Sequence, residues 1–312
     1  LEILKRNIDG ELLISIVLII SIFAVFYGNS GFSLILNERA SLIALIYLAI
    51  GLFGLVFNFK KVMFTGLALS AFTSLYLKSA SNISVKLPEL DHQKLSFSVE
   101  HFNLSSADNF EEVLDKIWST TPDVLSFQEL TPDWNQELKS ALSEKYPYNY
   151  TAVRIDYFGK SVYSKYPILD AEKVEIENIN DLILHLDIDG QDCMLISTYV
   201  IPSLDKISEQ KAADQLNYLA EIMNATTVKN KIVVGEFNMV YWNESIRKFV
   251  NNTKLLNSRR EAPINGDMPY EHIFYNQNLE CTFFQEIKDD VNDKIGIHGV
   301  YQTVEKVMIG SL

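Results

Sequence analysis

The chain has 312 residues, 48% of them apolar, with 27 Lys/Arg against 40 Asp/Glu and a formal net charge of −13. That length accommodates one sizeable globular unit plus a further segment, and the apolar fraction excludes a disordered polyelectrolyte. The acidity repels phosphate backbones at long range and disfavours nonspecific nucleic-acid binding.

The apolar residues are unevenly spread. Uncharged runs occupy 12–27 (LLISIVLIISIFAVFY), 40–57 (ASLIALIYLAIGLFGLVF) and 62–77 (VMFTGLALSAFTSLYL). Each is at the short end of what a bilayer requires, and three within the first 80 residues predict a three-helix transmembrane anchor over 1–80. No small-x-small site follows the first run, so a cleavable signal is disfavoured. Lys5, Arg6, Lys60 and Lys61 mark the basic sides, while the first loop holds only Arg39 beside Glu38. The positive-inside bias then makes this a multi-pass membrane protein with a cytoplasmic N-terminus and an extracytoplasmic C-terminal domain. Its first expected partner is therefore the lipid bilayer. Residues 1–80 carry six Lys/Arg and four Asp/Glu, and residues 81–312 carry 21 and 36, a net of −15.

Residues 81–94 are polar with one proline and read as a linker. The domain over 95–312 then alternates strand-like and helix-like segments. LSFSV (95–99) reads as a strand. NFEEVLDKIWST (109–120) reads as a helix with Phe110, Val113, Leu114 and Ile117 on one face, capped by Asp108 or Asn109. DVLSFQEL (123–130) is a buried-type strand, and 133–145 a second helix. TAVRI, KSVYS, KVEIE, LILHLDI and CMLISTYV give a run of strands between 151 and 200. A helix over 208–226 precedes KIVVGEF (231–237), and HIFYN, LECTFFQEI and GVYQTVEKV close the chain. This order predicts an α/β class sandwich of two packed sheets with helices on the outer faces. Cys193 and Cys281 fall in strands and read as buried thiols, although an extracytoplasmic site permits a disulfide.

Polar residues gather at the ends of the apolar strands: Asn103, Gln128, Glu129, Tyr199, Glu236, Asn238, Glu271, His272 and His298. Singly, such residues are more often caps and turn formers than ligands. Together, two layered sheets would bring these ends to one rim, where carboxylates and amides hold a hard divalent cation through oxygen.

The motifs LSFSVEHFN, PDVLSFQEL, YFGKSVYSKYPI, STYVIP, GEFN, YEHIFYNQNLE and GIHGVYQTVE, in that order over roughly 93–308, resemble the endonuclease/exonuclease/phosphatase superfamily with its DNase I-like fold. LLNSRRE resembles members that carry an N-terminal membrane anchor. The resemblance implies a four-layered two-sheet sandwich and metal-dependent hydrolysis of a phosphate mono- or diester, with Mg²⁺ expected and Mn²⁺ or Ca²⁺ as alternatives. It implies that Glu129 binds the metal with Asn103, that Glu236 orients or deprotonates the attacking water, and that Asn238 holds the water or a phosphate oxygen. It further implies that His298 contacts the scissile phosphate, that Glu271 orients His298, and that Tyr199 donates to a phosphate oxygen. Three acidic positions depart from the pattern. Ile297 stands where the family has the Asp before its closing His, and Glu236 and Glu271 stand where it has Asp. A catalytically degenerate member acting as a binding or scaffolding module is the alternative expectation, and the substrate class stays open.

Overall fold

The computed structural model describes residues 10–27, 31–82, 86–107, 109–260 and 268–304. The chain divides into two compact units, the first built on the N-terminal helices and the second on residues 84–260 and 270–312.

The N-terminal unit contains α1 (Gly10–Tyr27), α2 (Gly31–Glu38), α3 (Ala40–Val56) and α4 (Lys60–Ala80). The three apolar runs become α1, α3 and α4, and α2 is an additional short helix in the first connection. Gly51 and Gly66 let α3 and α4 approach closely: a Cβ on Gly66 would lie 2.6 Å from the Gly51 nitrogen. Leu18, Ile22 and Tyr47 form the small interior, and the Tyr47 hydroxyl meets Ser21 Oγ at 2.7 Å. Large apolar side chains such as Val17, Ile20, Phe23, Leu55, Phe64 and Leu75 point outward. Among the described residues, no helix is long and apolar enough to cross a membrane. At 1.5 Å per residue, the 18 residues of α1 and 17 of α3 cover only about 25–27 Å of a hydrocarbon core of about 30 Å. α4 has 21 residues, but Lys60, Lys61 and Lys78 lie within it.

The second unit runs β1 (Ser96–Asn103), α5 (Phe110–Thr120), β2 (Val124–Gln128), α6 (Pro132–Leu142), β3 (Tyr148–Ala152), β4 (Lys160–Ser164), β5 (Ile168–Ile176), β6 (Ile179–Ile188), β7 (Gln191–Tyr199), α7 (Lys206–Ala225), β8 (Asn230–Glu236), α8 (Glu244–Thr253), β9 (Leu256–Asn257), β10 (Glu271–Tyr275), β11 (Leu279–Lys288) and β12 (Lys294–Thr303). Asn109 caps α5 by accepting from Glu112 N, Thr131 caps α6, and Asp205 with Ser208 forms a capping box on α7. Asp108, the other expected cap for α5, lies outside the described residues.

Two six-stranded sheets form, in the orders β11-β12-β1-β2-β4-β3 and β5-β6-β7-β8-β10-β9. Each has one parallel pair at its centre, β1/β2 and β7/β8, with antiparallel neighbours. α5 and α7 are the crossovers that parallel pairing demands. An apolar core between the sheets includes Val99, Val124, Leu184, Leu195, Val234, Ile273 and Ile297. A second core lies under α7 and α8, and a third under α5 and α6. The layers are therefore helix, sheet, sheet, helix, as expected. Cys193 and Cys281 are both free and buried in the central core.

Several elements differ from expectation, among them β5, which begins at Ile168 where KVEIE predicts a start at Lys173. α8 and β9 form from a polar stretch whose short amphipathic pattern is broken by Asn and Lys. β12 begins at Lys294, five residues before the expected strand. The last difference decides the site.

Candidate active site

Parallel strands point their C-terminal ends the same way, and here the four central ones end at one edge. β1 ends in Asn103, β2 in Gln128 followed by Glu129, β7 in Tyr199, and β8 in Glu236. The β7/β8 register is held by close backbone approach at Gly235 (φ +148°), where a Cβ would lie 1.9 Å from the Thr198 carbonyl oxygen. Glu129 (φ 57°) and Asn238 (φ 52°) both take the left-handed conformation just past their strands. For non-glycine residues that costs on the order of 1–2 kcal/mol, and such strain collects at functional sites.

The strand ends meet across the two sheets. Asn103 Nδ2 donates to Glu236 Oε2 at 2.8 Å and to Glu129 Oε1 at 3.2 Å, so the two carboxylates share one amide nitrogen. Gln128 Nε2 donates to the same Glu236 oxygen at 2.9 Å, and Gln128 Oε1 accepts from the Glu236 backbone at 3.1 Å. Glu271 lies opposite Glu236 in the β8/β10 register, on the same face. Burial, then the Glu271 and Glu129 charges, push the Glu236 carboxyl up to about 7. That is the range in which a carboxylate works as a base at neutral pH.

Tyr199 and Asn238 flank this group. The Tyr199 hydroxyl is hydrogen-bonded to the Asn238 side chain and is pushed up to about 12, chiefly by burial and then by Glu236. Asn238 Nδ2 donates to the Val200 carbonyl at 2.9 Å. Behind Tyr199 lies a buried ion pair, Lys160 Nζ to Asp181 Oδ1 at 2.7 Å, with both side chains fully enclosed. Asp181 Oδ1 accepts from the Tyr199 backbone at 3.2 Å, and Gln215 Nε2 bridges Asp181 Oδ2 and the Tyr199 carbonyl. Below the site, His101 Nδ1, Ser126 and Ser197 form a polar chain between the sheets. Burial, assisted by the Lys160 and Lys294 charges, lowers His101 to about 3 and keeps it neutral.

The structure thus brings Asn103, Glu129, Glu236, Asn238 and Tyr199 together, with Glu271 beside Glu236. It does not bring His298 to them. Because β12 starts at Lys294, His298 is its fifth residue, about 13 Å along the strand from the opening. It pairs in register with Glu100, and its Nδ1 meets Glu100 Oε1 at 2.5 Å. On β1, Glu100 and Phe102 face the α5/α6 side while Val99 and Asn103 face the other sheet, so His298 is on the outer face. Glu271 consequently does not orient His298. Its partner is Lys294 Nζ. Ile297 packs in the central apolar core, between His101 and Glu286 in the strand register.

Lys294 is the residue that sequence reasoning missed. A bulge in the β11/β12 ladder, where Ile287 pairs with Gly296 and Lys288 with Lys294, skips Ile295. Ile295 joins the outer core beneath α5 and α6. The extra residue reverses the alternation and turns Lys294 toward the mouth between the sheets, a common use of bulges beside active sites. From there its ammonium pairs with Glu271 and favours ionisation of Glu236. The only sequence signal was a lysine in a polar turn.

Among the described residues, no group of three or more His, Cys, Asp or Glu is arranged to hold a metal ion. The donor set nevertheless fits a hard divalent cation, being carboxylate and carboxamide oxygen. The raised Glu236 reflects burial first and then the neighbouring Glu271 and Glu129 charges, and a cation would offset the latter. In the present arrangement the Asn103 NH₂ lies between the two carboxylates, and its oxygen accepts from Ser105 N and Oγ. Turning that amide would present its oxygen instead.

The chain has no match among curated proteins. Among solved structures, it is similar to a humanized D. rerio TDP2, with TM-score 0.55, 17% identity, and coverage of 67% of this chain and 99% of that one. An endonuclease/exonuclease/phosphatase from Beutenbergia cavernae gives TM-score 0.58 and 13% identity, over 68% and 73% of the respective chains. The human Nocturnin catalytic domain, with bound sulfate, gives 0.55 and 14%, over 70% and 97%. These likenesses establish the fold. The sequence profile of the Endonuclease/Exonuclease/phosphatase family matches residues 95–300, two thirds of the chain, and the protein belongs to that family.

Proposed function

We propose that the protein is a divalent-cation-dependent phosphoesterase that cleaves a phosphate mono- or diester, with residues 1–80 as its membrane anchor, the N-terminus cytoplasmic and the catalytic domain outside the cytoplasm. The observation that carries the catalytic reading is the Asn103–Glu129–Glu236 contact across the two sheets, with the Glu236 carboxyl raised into the working range of a base. Family membership supports phosphoesterase- or nuclease-type chemistry.

Glu129 and Asn103 would hold the cation, with Mg²⁺ the first candidate and Mn²⁺ and Ca²⁺ behind it. When bound, it supplies Lewis-acid polarisation of a phosphoryl oxygen. Glu236 takes the proton of the attacking water on its carboxylate. Asn238 and the Tyr199 hydroxyl orient the water and a phosphate oxygen. Lys294, held by Glu271, places a fixed positive charge where negative charge develops, the role expected of His298. The anchor reading is supported by the outward apolar faces of α1, α3 and α4 and by the lysines at the turn between α3 and α4.

A second reading, a binding module without turnover, is favoured by one observation: the family's closing acid–base pair is replaced by a core isoleucine and an outward histidine. Hydrolysis of a generic phosphodiester and a monoester by the full chain, with each cation and with chelator, separates the two. Chelator-sensitive turnover that vanishes in Glu129→Ala supports the enzyme. No turnover and no metal-dependent rise in Tm supports the module. Cysteines introduced at exposed positions, probed from either side of the membrane, test the topology.

A further inference from the structure

The most exposed apolar side chains of the second unit are not scattered. Among its described residues, five large ones exceed two-thirds exposure, from Tyr157 at 69% to Ile155 at 93%, with Leu204, Ile207 and Val291 between. All five lie at the edge where the catalytic strands end. Ile155 and Tyr157 are in the β3–β4 loop, whose Gly159 carbonyl accepts from Leu130 N, one residue past Glu129. In the same loop, Phe158 stacks edge-on against Tyr199 at 5.5 Å. Leu204 and Ile207 stand where the chain leaves Tyr199 for α7, and Val291 is at the tip of the β11–β12 hairpin, three residues before Lys294. The opposite edge is different. Its β6–β7 hairpin turns on Asp189–Gly190, both at positive φ, and its most exposed large apolar side chain among the described residues is Leu169 at 59%, whereas the β5–β6 hairpin at Glu177–Asn178 shares the edge of Tyr199.

From this distribution we infer that the catalytic edge seats on a zwitterionic lipid layer through these five side chains, and that the ester cleaved is carried on a lipid headgroup; the substrate half rests on the phosphoesterase reading above. Three features favour a lipid layer over other occupants. The tips come from three loops and are interrupted by Asp156, Asp205 and Asp290, whereas a protein interface needs a contiguous apolar centre. A fluid layer accepts separate protrusions. The rim's Arg154 is already held by both oxygens of Asp156, at 2.7 and 2.6 Å, which leaves it poorly placed to bind a nucleic-acid backbone. The same chain carries helices with outward apolar faces, and the 15 residues between Ala80 and Ser96 reach at most about 50 Å. Whatever layer takes those helices is within that reach of the domain. The net charge of −15 over residues 81–312 selects a zwitterionic rather than an anionic surface.

The full chain reconstituted in phosphatidylcholine vesicles provides the test. Cys193 and Cys281 are buried, so a fluorophore attached to Leu204→Cys reports that site alone, and Asp189→Cys on the far hairpin is the control. The expected result is a blue-shifted Leu204→Cys label, several-fold less quenched by iodide than the Asp189→Cys label. Equal quenching at both overturns the docking. Shielding that follows protein density instead of lipid also overturns it, as self-association. For the substrate, the triple variant Ile155→Ser, Leu204→Ser, Val291→Ser is expected to lose about tenfold in turnover of vesicle phosphatidylcholine, roughly 1.4 kcal/mol, with hydrolysis of a water-soluble phosphodiester unchanged. Equal loss on both substrates, or turnover of the soluble ester alone, overturns the lipid substrate. Absence of all turnover overturns the phosphoesterase reading, while the quenching result still decides the docking.

Discussion

The two sides of the site are built in different ways. On the side of the parallel pairs, Asn103, Gln128, Glu129, Tyr199 and Glu236 occupy strand ends, with side chains converging across the sheets. On the closing side, β12 follows another plan: Ile297 is core, His298 is turned outward, and a bulge delivers Lys294 to Glu271. A residue's chemistry is therefore set less by its place in a motif than by its register. One skipped position turns Lys294 toward the carboxylates, while the register with Glu100 keeps His298 on the other face.

That contrast can be broken or sharpened by substitution. The largest effect is expected for Glu236→Gln, which should lower kcat by about 10²–10⁴-fold if the carboxylate is the base. In the unmodified protein kcat should rise with pH as Glu236 ionises, with a midpoint that the bound cation moves below the metal-free value of about 7. Stability should move the other way. The unfolded chain ionises near the ordinary 4.5 and the folded one near 7, so stability is lost as pH rises across that window. Glu236→Gln should therefore gain more in Tm at pH 8 than at pH 5, and equal gains would show that the carboxyl is not perturbed. Next, Lys160→Met strands Asp181 in a dry site and should cost about 3–5 kcal/mol by chemical denaturation. Ile297→Asp is the sharpest test of register. The motif predicts a gain of metal affinity, whereas the structure buries the new carboxylate in the central core opposite Glu286, at a cost of about 3 kcal/mol or more. Lys294→Met should lower kcat by about 100-fold with partial rescue by Lys294→Arg. His298→Ala should change kcat least, within about threefold, because its partner Glu100 faces away from the carboxylates. A large loss there would restore the motif reading.

The layer order, the helix caps at Asn109 and the strand ends on the parallel side were legible because each depends on local pattern. Apolar runs bounded by Asn103, Gln128 and Glu236 mark buried strands and their exits. The closing side was not legible, because a bulge leaves no signature in a single sequence. Lys294 to Thr303 reads as turn, then strand, only if Gly296 and Gly299 are taken as breakers; in the fold both lie inside β12. In the N-terminal region, composition located the apolar helices but did not reveal α2 or the close approach at Gly51 and Gly66.

The contact of Asn103 and Gln128 with Glu236 has a consequence beyond chemistry. Each sheet contributes only part of the polar cluster, Asn103, Gln128 and Glu129 from one and Tyr199, Glu236 and Glu271 from the other. Any ligand that engages Glu129 and Glu236 together acts as a clasp on the whole sandwich, and its affinity doubles as a gauge of how firmly the two layers are closed.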